Sequence, residues 1–181
     1  GMVRQAKPNP GHLALAELQK RCPQFTLITQ NVDSLHEEAG SRNVIHLHGE
    51  IGRTKCATGC QGDPTYVDLK AVPPSEETPP RCPYCGDFLR PDVVWFGEVL
   101  PVQALESAKE ACAEAEVMLV VGTSGLVQPA ASLPLLALAR GASLIEVNPE
   151  PSTLSAHADL VLAGPSGEIL PLLLEALDHD S

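Results

Sequence analysis

Aromatic side chains are scarce in this chain: Phe, Tyr and Trp together make up 3% of its 181 residues. A hydrophobic core must therefore be built from aliphatic side chains, and an apolar share of 44% is enough for one. Basic residues are also few, since 12 Lys and Arg stand against 23 Asp and Glu, giving a formal net charge of −11. Because nucleic-acid binding needs basic patches that meet phosphates, we expect no nucleic acid as a direct partner.

Long apolar runs are missing as well. The leucine-rich segment at 133–138 is far shorter than the roughly 20 residues that cross a bilayer, so we expect no membrane partner. The sequence shows no secretory signal pattern, and its cysteines are spaced like metal ligands rather than like a disulfide framework. We therefore expect a cytoplasmic protein in a reducing, intracellular compartment.

Four cysteines form two close pairs, C-x3-C and C-x2-C, separated by 21 residues: Cys56, Cys60, Cys82 and Cys85. Each pair closes a turn that aims two thiolates at one ion, which is the spacing of a tetrahedral Zn²⁺ site. Two disulfides, or four unrelated thiols, are the alternative interpretation. The pattern predicts zinc bound by these four cysteines.

Short apolar runs alternate with segments of helical periodicity along the rest of the chain. The predicted strands are 25–29, 44–47, 93–96, 117–121, 143–147 and 157–162, and the predicted helices are 11–21, 33–39, 103–115, 130–139 and 169–177. This alternation predicts an α/β fold with a doubly wound, parallel, Rossmann-like sheet. We expect the continuous run VMLVV at 117–121 to be buried on both faces.

The composition changes between residues 50 and 91, where prolines cluster and periodicity is lost. We therefore divide the chain into an incomplete Rossmann-like domain, 8–49 and 92–178, and a small zinc-binding module of zinc-ribbon type, 50–91.

Polar residues follow three of the predicted strands, at 29–33, 122–124 and 148–150. The carboxyl ends of parallel strands meet at one edge of a sheet, so these clusters are expected to line one crevice. Gly122 permits close backbone approach, and Thr123 and Ser124 offer hydroxyls and amides at a predicted helix start, which suits a phosphate. Ordinary loop and helix-cap roles are the alternative, above all for Asp33 and Ser124.

His48 ends a predicted strand beside this crevice and precedes Gly49. An imidazole that is neutral near pH 7 is the usual general base, so His48 is a candidate for that role. The alternative is an ordinary core or surface histidine.

Six blocks in a fixed order together resemble the sirtuins, which are NAD-dependent protein lysine deacylases. The blocks are TQNVD at 29–33, HLHG at 46–49, the four cysteines, VVWFGE at 93–98, GTS at 122–124 and VNPE at 147–150. The resemblance runs from about Pro8 to Leu177. WFGE, together with GPSG at 164–167, is most similar to the branch that removes acidic acyl groups such as succinyl.

The resemblance implies transfer of an acyl group from lysine to ADP-ribose, with release of nicotinamide. His48 would be the base that activates a ribose hydroxyl, and the zinc would be structural. The residues implied to hold NAD⁺ are Gln30, Asn31, Asp33, Gly122, Thr123, Ser124, Asn148, Glu150 and Ser166. An acylated-lysine protein or peptide would pair as an added strand with Val94, Trp95, Gly97 and Glu98.

One part of the sirtuin pattern is missing. Sirtuins open with a first strand and a glycine-rich loop, GAGxSxxSGIPxFR, that cradles pyrophosphate, whereas residues 2–9 are MVRQAKPN. We therefore expect a sheet that lacks its first, central strand. Three accounts are open: a shortened gene product, a segment supplied by another chain, or a part of a longer chain. Because an open sheet edge promotes association, we expect rearranged strand pairing or a homodimer that covers the edge.

A second hypothesis of function follows from this missing part. The chain would then be a truncated, catalytically inactive sirtuin-like scaffold that binds zinc and a peptide or partner protein. A zinc-ribbon adaptor with an unrelated α/β neighbour is a third, and the six ordered blocks argue against it. NAD binding separates the first two hypotheses.

Overall fold

The computed structural model describes residues 6–74 and 77–179. Its helices are α1 (Pro10–Arg21), α2 (Leu35–Glu38), α3 (Val102–Glu114), α4 (Leu133–Ala139) and α5 (Ser166–His179). Its strands are β1 (Ile28–Thr29), β2 (Ile45–His46), β3 (Gly49–Cys56), β4 (Leu89–Val93), β5 (Val117–Val121), β6 (Ser143–Asn148) and β7 (Leu160–Ala163). Of the helices among these residues, none combines the length and apolar character needed to cross a bilayer.

The strands form three sheets in the described part of the chain. β1 pairs with β2 in parallel, and β5, β6 and β7 pair in parallel in that order, whereas β3 and β4 form an antiparallel hairpin. The predicted α/β class is thus confirmed, but the parallel strands form two separate sheets instead of one. Within residues 6–74 and 77–179, no strand pairs β1 with β5.

Helices cover both faces of the parallel strands. α1 and α5 contribute Leu15 and Leu170 to a core that includes Leu27 and Val147. On the opposite face, α3 and α4 contribute buried side chains that pack with strand residues Ile28, Ile45 and Met118. Successive strand residues point to opposite faces, so Leu27 and Ile28 enter different cores. The core is aliphatic, as the shortage of aromatic residues requires.

The strand predicted at 93–96 is wrong in position. The observed strand, β4, ends at Val93 and contains Pro91, a residue that usually argues against a strand. Its partner β3 changes register between Glu50 and Thr54, and a bulge of this kind accommodates the proline. The limits of β4 therefore depend on its pairing with β3, which the local sequence does not reveal.

Two further predictions differ from the structure. β5 was expected to be buried on both faces, yet Val117 is 58% exposed and Val120 is the residue of this strand that is buried. The reason is an open cleft beside the strand, described below. The helix predicted at 130–139 is divided: a 3₁₀ turn, Ala130–Ser132, precedes α4, whose second residue is Pro134.

The hairpin of β3 and β4 carries the cysteine-rich segment. Cys56, Val67, Cys82 and Leu89 are buried together in a small core of their own. A separate core is typical of a small module, and the boundaries at residues 50 and 91 stay a prediction.

Candidate functional site

The carboxyl ends of β1, β5 and β6 converge on Thr123. The Gln30 side chain donates to Thr123 Oγ1 at 3.4 Å, and the Asn148 side chain donates to the Thr123 carbonyl at 2.9 Å. A cleft of about 1860 Å³ opens here. Of the nine residues expected to hold NAD⁺, the cleft is lined by Gln30, Asn31, Gly122, Thr123, Ser124 and Ser166. Two of the three predicted clusters, 29–33 and 122–124, therefore meet at one crevice, whereas none of 148–150 lines it.

His48 is half-buried in the short turn between β2 and β3, immediately before Gly49. Its Nδ1 lies 2.9 Å from the Gln30 carbonyl oxygen, which can only accept a hydrogen bond. Nδ1 therefore carries the proton in the neutral ring, and the lone pair is on Nε2. The next residue has to be glycine, because Gly49 has a φ of +78° and an added Cβ would lie 2.1 Å from the Asp92 carbonyl oxygen. The His48–Gly49 pair thus gives a fixed imidazole with one basic nitrogen.

Asp33 and Glu150 do not line the cleft, and Ser124 lines it from a loop and not from a helix start. Asp33 Oδ1 accepts from the Leu35 N–H at 3.1 Å in an Asx turn just before α2, whose N-cap is Ser34. Ser124 does not begin a helix, as was expected; its carbonyl accepts from Thr153 Oγ1 at 3.3 Å in a loop–loop contact. Glu150 is exposed just after β6.

The segment 94–98, expected to meet a peptide, lies beside His48 and outside the strands. The Val94 N–H donates to the His48 carbonyl at 2.9 Å. Glu98 accepts from Arg90 at 2.6 Å and from the Trp95 N–H at 3.0 Å. These bonds, with Arg90 contributing most, lower the pKa of Glu98 to about 2. Trp95 is 58% exposed, so an ion-paired loop presents an aromatic residue directly after Val94, which is bonded to His48.

Glu146 is a site-forming residue that our sequence analysis missed. It is fully buried in β6, its Oε2 accepts from the Ser155 hydroxyl, and its Oε1 has no hydrogen-bond partner among the described residues. Burial raises the pKa of Glu146, but Ser152, Ser155 and Asn148 outweigh that effect, so the net shift is downward. The carboxylate therefore anchors the 148–155 loop to which Asn148 belongs. A lone acidic residue in the apolar run SLIEV was the available signal.

We expect Glu146→Gln to lower the free energy of unfolding by about 1–3 kcal/mol, because a buried amide N–H₂ would lack an acceptor and the charged hydrogen bond would be lost. Urea denaturation measures this change. The matched control is Glu150→Gln, which removes the same charge from an exposed position. Equal unfolding free energies for the two variants would contradict the anchoring role of Glu146.

The four cysteines come together at one point. Their sulfur atoms all lie within 4.8 Å of one another, with 3.6 Å between Cys56 and Cys85 and 3.8 Å between Cys60 and Cys82. A tetrahedron with Zn–S bonds of roughly 2.3 Å has S–S edges of about 3.8 Å. A disulfide would need roughly 2.05 Å, so the disulfide alternative is wrong. The four sulfurs fit a structural zinc ion.

The acidities of these thiols also favour a cation. The Thr58 hydroxyl, 3.3 Å from Cys56 Sγ, leads the causes that lower the pKa of Cys56 to about 6. Burial, followed by the neighbouring thiols, raises the pKa of Cys60 to about 12. The hydroxyl hydrogen bond therefore favours the thiolate of Cys56, whereas burial disfavours that of Cys60. A divalent cation removes this conflict by stabilising all four thiolates.

Comparisons with known proteins agree with this geometry. The Sir2 family model matches residues 1–129. An NAD-dependent protein deacylase of Pyrococcus furiosus is 50% identical over 177 residues, which cover 97% of this chain and 70% of the relative. NAD-dependent protein deacylase 1 of Pseudomonas aeruginosa is 51% identical over 179 residues, with coverages of 95% and 70%.

Solved structures give the same result for the fold. A Sir2 homologue in complex with NAD superimposes with a TM-score of 0.88 at 44% identity, covering 98% of this chain and 68% of that one. Sir2 bound to an acetylated peptide gives 0.87 at 33% identity, with coverages of 97% and 73%. With a shared fold, half of the sequence identical to curated relatives and the strand-end crevice in place, this chain belongs to the Sir2 family, the sirtuins.

Proposed function

We propose that this chain is an NAD-dependent protein lysine deacylase. The observation that carries the proposal is His48, whose Nδ1 is fixed on the Gln30 carbonyl while Nε2 stays basic beside the strand-end crevice. Relatives named NAD-dependent protein deacylase, about half identical over nearly the whole chain, support the enzyme rather than the inactive scaffold. A Sir2 homologue bound to NAD supports NAD⁺ as the co-substrate.

The co-substrate and the chain contribute different parts of the reaction. NAD⁺ would supply ADP-ribose: its bond to nicotinamide breaks, one water molecule is consumed, and the acyl group passes from the lysine nitrogen to a ribose hydroxyl oxygen. His48 Nε2 would take a proton from the ribose hydroxyl, which is general base catalysis by a neutral imidazole. Side-chain amides and hydroxyls at the crevice, those of Gln30, Asn31 and Thr123, offer the hydrogen-bond partners that a polar dinucleotide needs. The Asn148 side-chain amide donates to the Thr123 carbonyl and thereby orients Thr123.

An acylated-lysine protein or peptide is the proposed acyl donor, supported by the Sir2 structure bound to an acetylated peptide. We assign its contact surface to Val94, Trp95, Gly97 and Glu98, because Val94 is bonded to His48 and Trp95 is exposed. An extended peptide beside this segment would pair with backbone groups other than the Val94, Trp95 and Glu98 N–H groups, which already donate within the chain. The acylated lysine would then point toward His48.

The zinc ion has a structural role in this proposal. Four thiolates complete its tetrahedral coordination, so no position is left for a water molecule or a substrate. The thiolates also suit a reducing compartment such as the cytoplasm.

A homodimer is a further part of the proposal. β1 and β5 each leave one edge unpaired among the described residues, and such edges favour association with a second copy. Sedimentation velocity at several concentrations measures it, and a monomer at every concentration would contradict it.

The experiment that tests the function combines NAD binding with acyl transfer. Calorimetric titration of the zinc-loaded chain should show NAD binding, weakened by Asn148→Ala because Thr123 loses its support. Nicotinamide release should require an acyl-lysine peptide, and acetyl and succinyl versions are compared with the unmodified peptide as the control. If NAD up to millimolar concentration neither binds nor releases nicotinamide, the inactive scaffold is the correct alternative.

A further inference from the structure

A short turn at 95–98 forms the far end of the proposed peptide surface. The Glu98 N–H donates to the Trp95 carbonyl at 2.9 Å, and Gly97 inside the turn has a φ of +89°. A β-turn with a positive φ at its third position, as in type II, favours glycine there. The Glu98 carboxylate also folds back, so that its Oε2 accepts from the Trp95 N–H at 3.0 Å. Hydrogen bonds in both directions between Trp95 and Glu98 therefore close the turn.

Arg90 connects this turn to the strand that precedes it. From β4, its guanidinium donates to both carboxylate oxygens of Glu98, Nη1 to Oε1 at 2.6 Å and Nη2 to Oε2 at 3.0 Å. Nη2 also donates to the Val93 carbonyl at 2.6 Å, where β4 ends. A planar fork that makes two parallel bonds fixes orientation as well as distance, which a lysine ammonium does not. One side chain therefore joins the end of β4 to the far end of the segment 94–98.

The pair of Arg90 and Glu98 stays ionised and is partly shielded from solvent. The Arg90 side chain, 23% exposed, is the first cause that lowers the pKa of Glu98 to about 2, so the carboxylate is charged throughout the neutral range. The guanidinium carbon lies 5.7 Å from the centroid of the Trp95 ring, within the cation–π range of roughly 6 Å. Ion pairs near the surface usually contribute little to global stability. We therefore expect the loss of this pair to change the order of the segment more than the stability of the chain.

The near end of the segment is held at His48. The Val94 N–H donates to the His48 carbonyl at 2.9 Å. The segment 94–98 is thus fixed at Val94 by the proposed base and at Glu98 by Arg90. The hydrogen bonds of the Arg90 terminal nitrogens go to Glu98 and Val93, so this side chain would act on a substrate through the segment that it holds.

We propose that Arg90 is a positioning residue for the acyl peptide: through its two bonds to Glu98 it holds the segment 94–98 in one shape, and the affinity for the peptide depends on that shape. The inference rests on the proposed function, because it takes this segment as the peptide surface. A surface that is ordered before binding loses less conformational entropy when a peptide docks on it. Without Arg90 the segment has to be ordered by the peptide itself, which weakens binding.

Trp95 is the single tryptophan of the chain, so its fluorescence reports on the segment directly. Time-resolved anisotropy without any ligand should show a larger nanosecond component in Arg90→Met and Arg90→Lys than in the parent chain. The matched control is Arg81→Met, which removes an arginine that likewise pairs with a glutamate, Glu77, and lies over an aromatic ring, that of Phe88. This control should leave the anisotropy decay unchanged. An unchanged decay in Arg90→Met would overturn the positioning role and leave the deacylase proposal standing.

Calorimetry with an acetyl-lysine peptide then measures the effect on binding. Arg90→Met, Glu98→Gln and the double variant should each raise the Kd by about the same factor, roughly tenfold, because the two side chains act as one unit. Factors that multiply in the double variant would show independent roles and overturn the proposal.

Zinc content and thermal midpoint separate positioning from folding. Both should match the parent chain in Arg90→Met and Arg90→Lys, and loss of zinc together with peptide binding would show a merely structural role and overturn the proposal. If the parent chain itself binds no acyl peptide, the peptide surface of the proposed function is wrong, whereas the anisotropy measured without ligand still decides whether Arg90 holds the segment.

Discussion

Deacetylation of an acetyl-lysine peptide is expected to fall by about 10²–10⁴-fold in His48→Ala, the range that general base catalysis contributes. The reason is the loss of Nε2, the nitrogen left basic when the Gln30 carbonyl fixes the proton on Nδ1. Steady-state kinetics at saturating NAD and peptide measure the change, which should be in kcat.

The controls for this prediction separate catalysis from folding. His157→Ala removes an exposed histidine and should leave the rate within about twofold, as for surface substitutions elsewhere. Zinc content and thermal midpoint of His48→Ala should match those of the parent chain, because the ring is half-buried and makes one side-chain hydrogen bond. A variant that keeps its zinc and full activity would refute the assigned role.

Removing zinc, or replacing one of its ligands by Cys82→Ser, is expected to unfold the cysteine-rich module. Structural zinc contributes about 10–16 kcal/mol of apparent binding free energy in small zinc modules, and the core around Cys56, Val67, Cys82 and Leu89 is too small to replace that contribution. The thermal midpoint should fall by about 10 °C or more. Atomic emission should find one zinc per chain before chelation and none after it.

Cys22→Ser is the matched control for this prediction. Cys22 is a free thiol at the C-terminal end of α1, away from the four clustered sulfurs. Its replacement should leave zinc content unchanged and shift the midpoint by no more than about 2 °C. If the chelated chain melts like the zinc-loaded one, the ion does not stabilise the module.

Much of the metal site could be predicted from the sequence because its geometry is local. Each cysteine pair closes its own turn, so C-x3-C and C-x2-C already aim two thiols together. The exclusion of disulfides did not follow from the local sequence. It required the distances between Cys56 and Cys85 and between Cys60 and Cys82, which depend on how β3 and β4 bring the two turns together.

The crevice could likewise be predicted only in part from the sequence. Polar residues after Thr29, Val121 and Val147 could be recognised as strand-end clusters, since apolar runs mark where strands stop. That Gln30 and Asn148 both reach Thr123, and that Glu146 anchors the loop beyond them, depends on strand order. The limits of β4 were mispredicted for the same reason, because a strand with a central proline exists only through its pairing with β3.

The sequence by itself indicated the family, the α/β class, four cysteines with the spacing of zinc ligands and the candidate base, because these reside in short motifs and in the periodicity of apolar residues. Only the tertiary structure decided which nitrogen of His48 is basic, why Val117 is exposed, and that Gln30 and Asn148 both reach Thr123. Those features arise from contacts between residues far apart in the chain. Local propensity carries no information about the strand that a given edge will pair with.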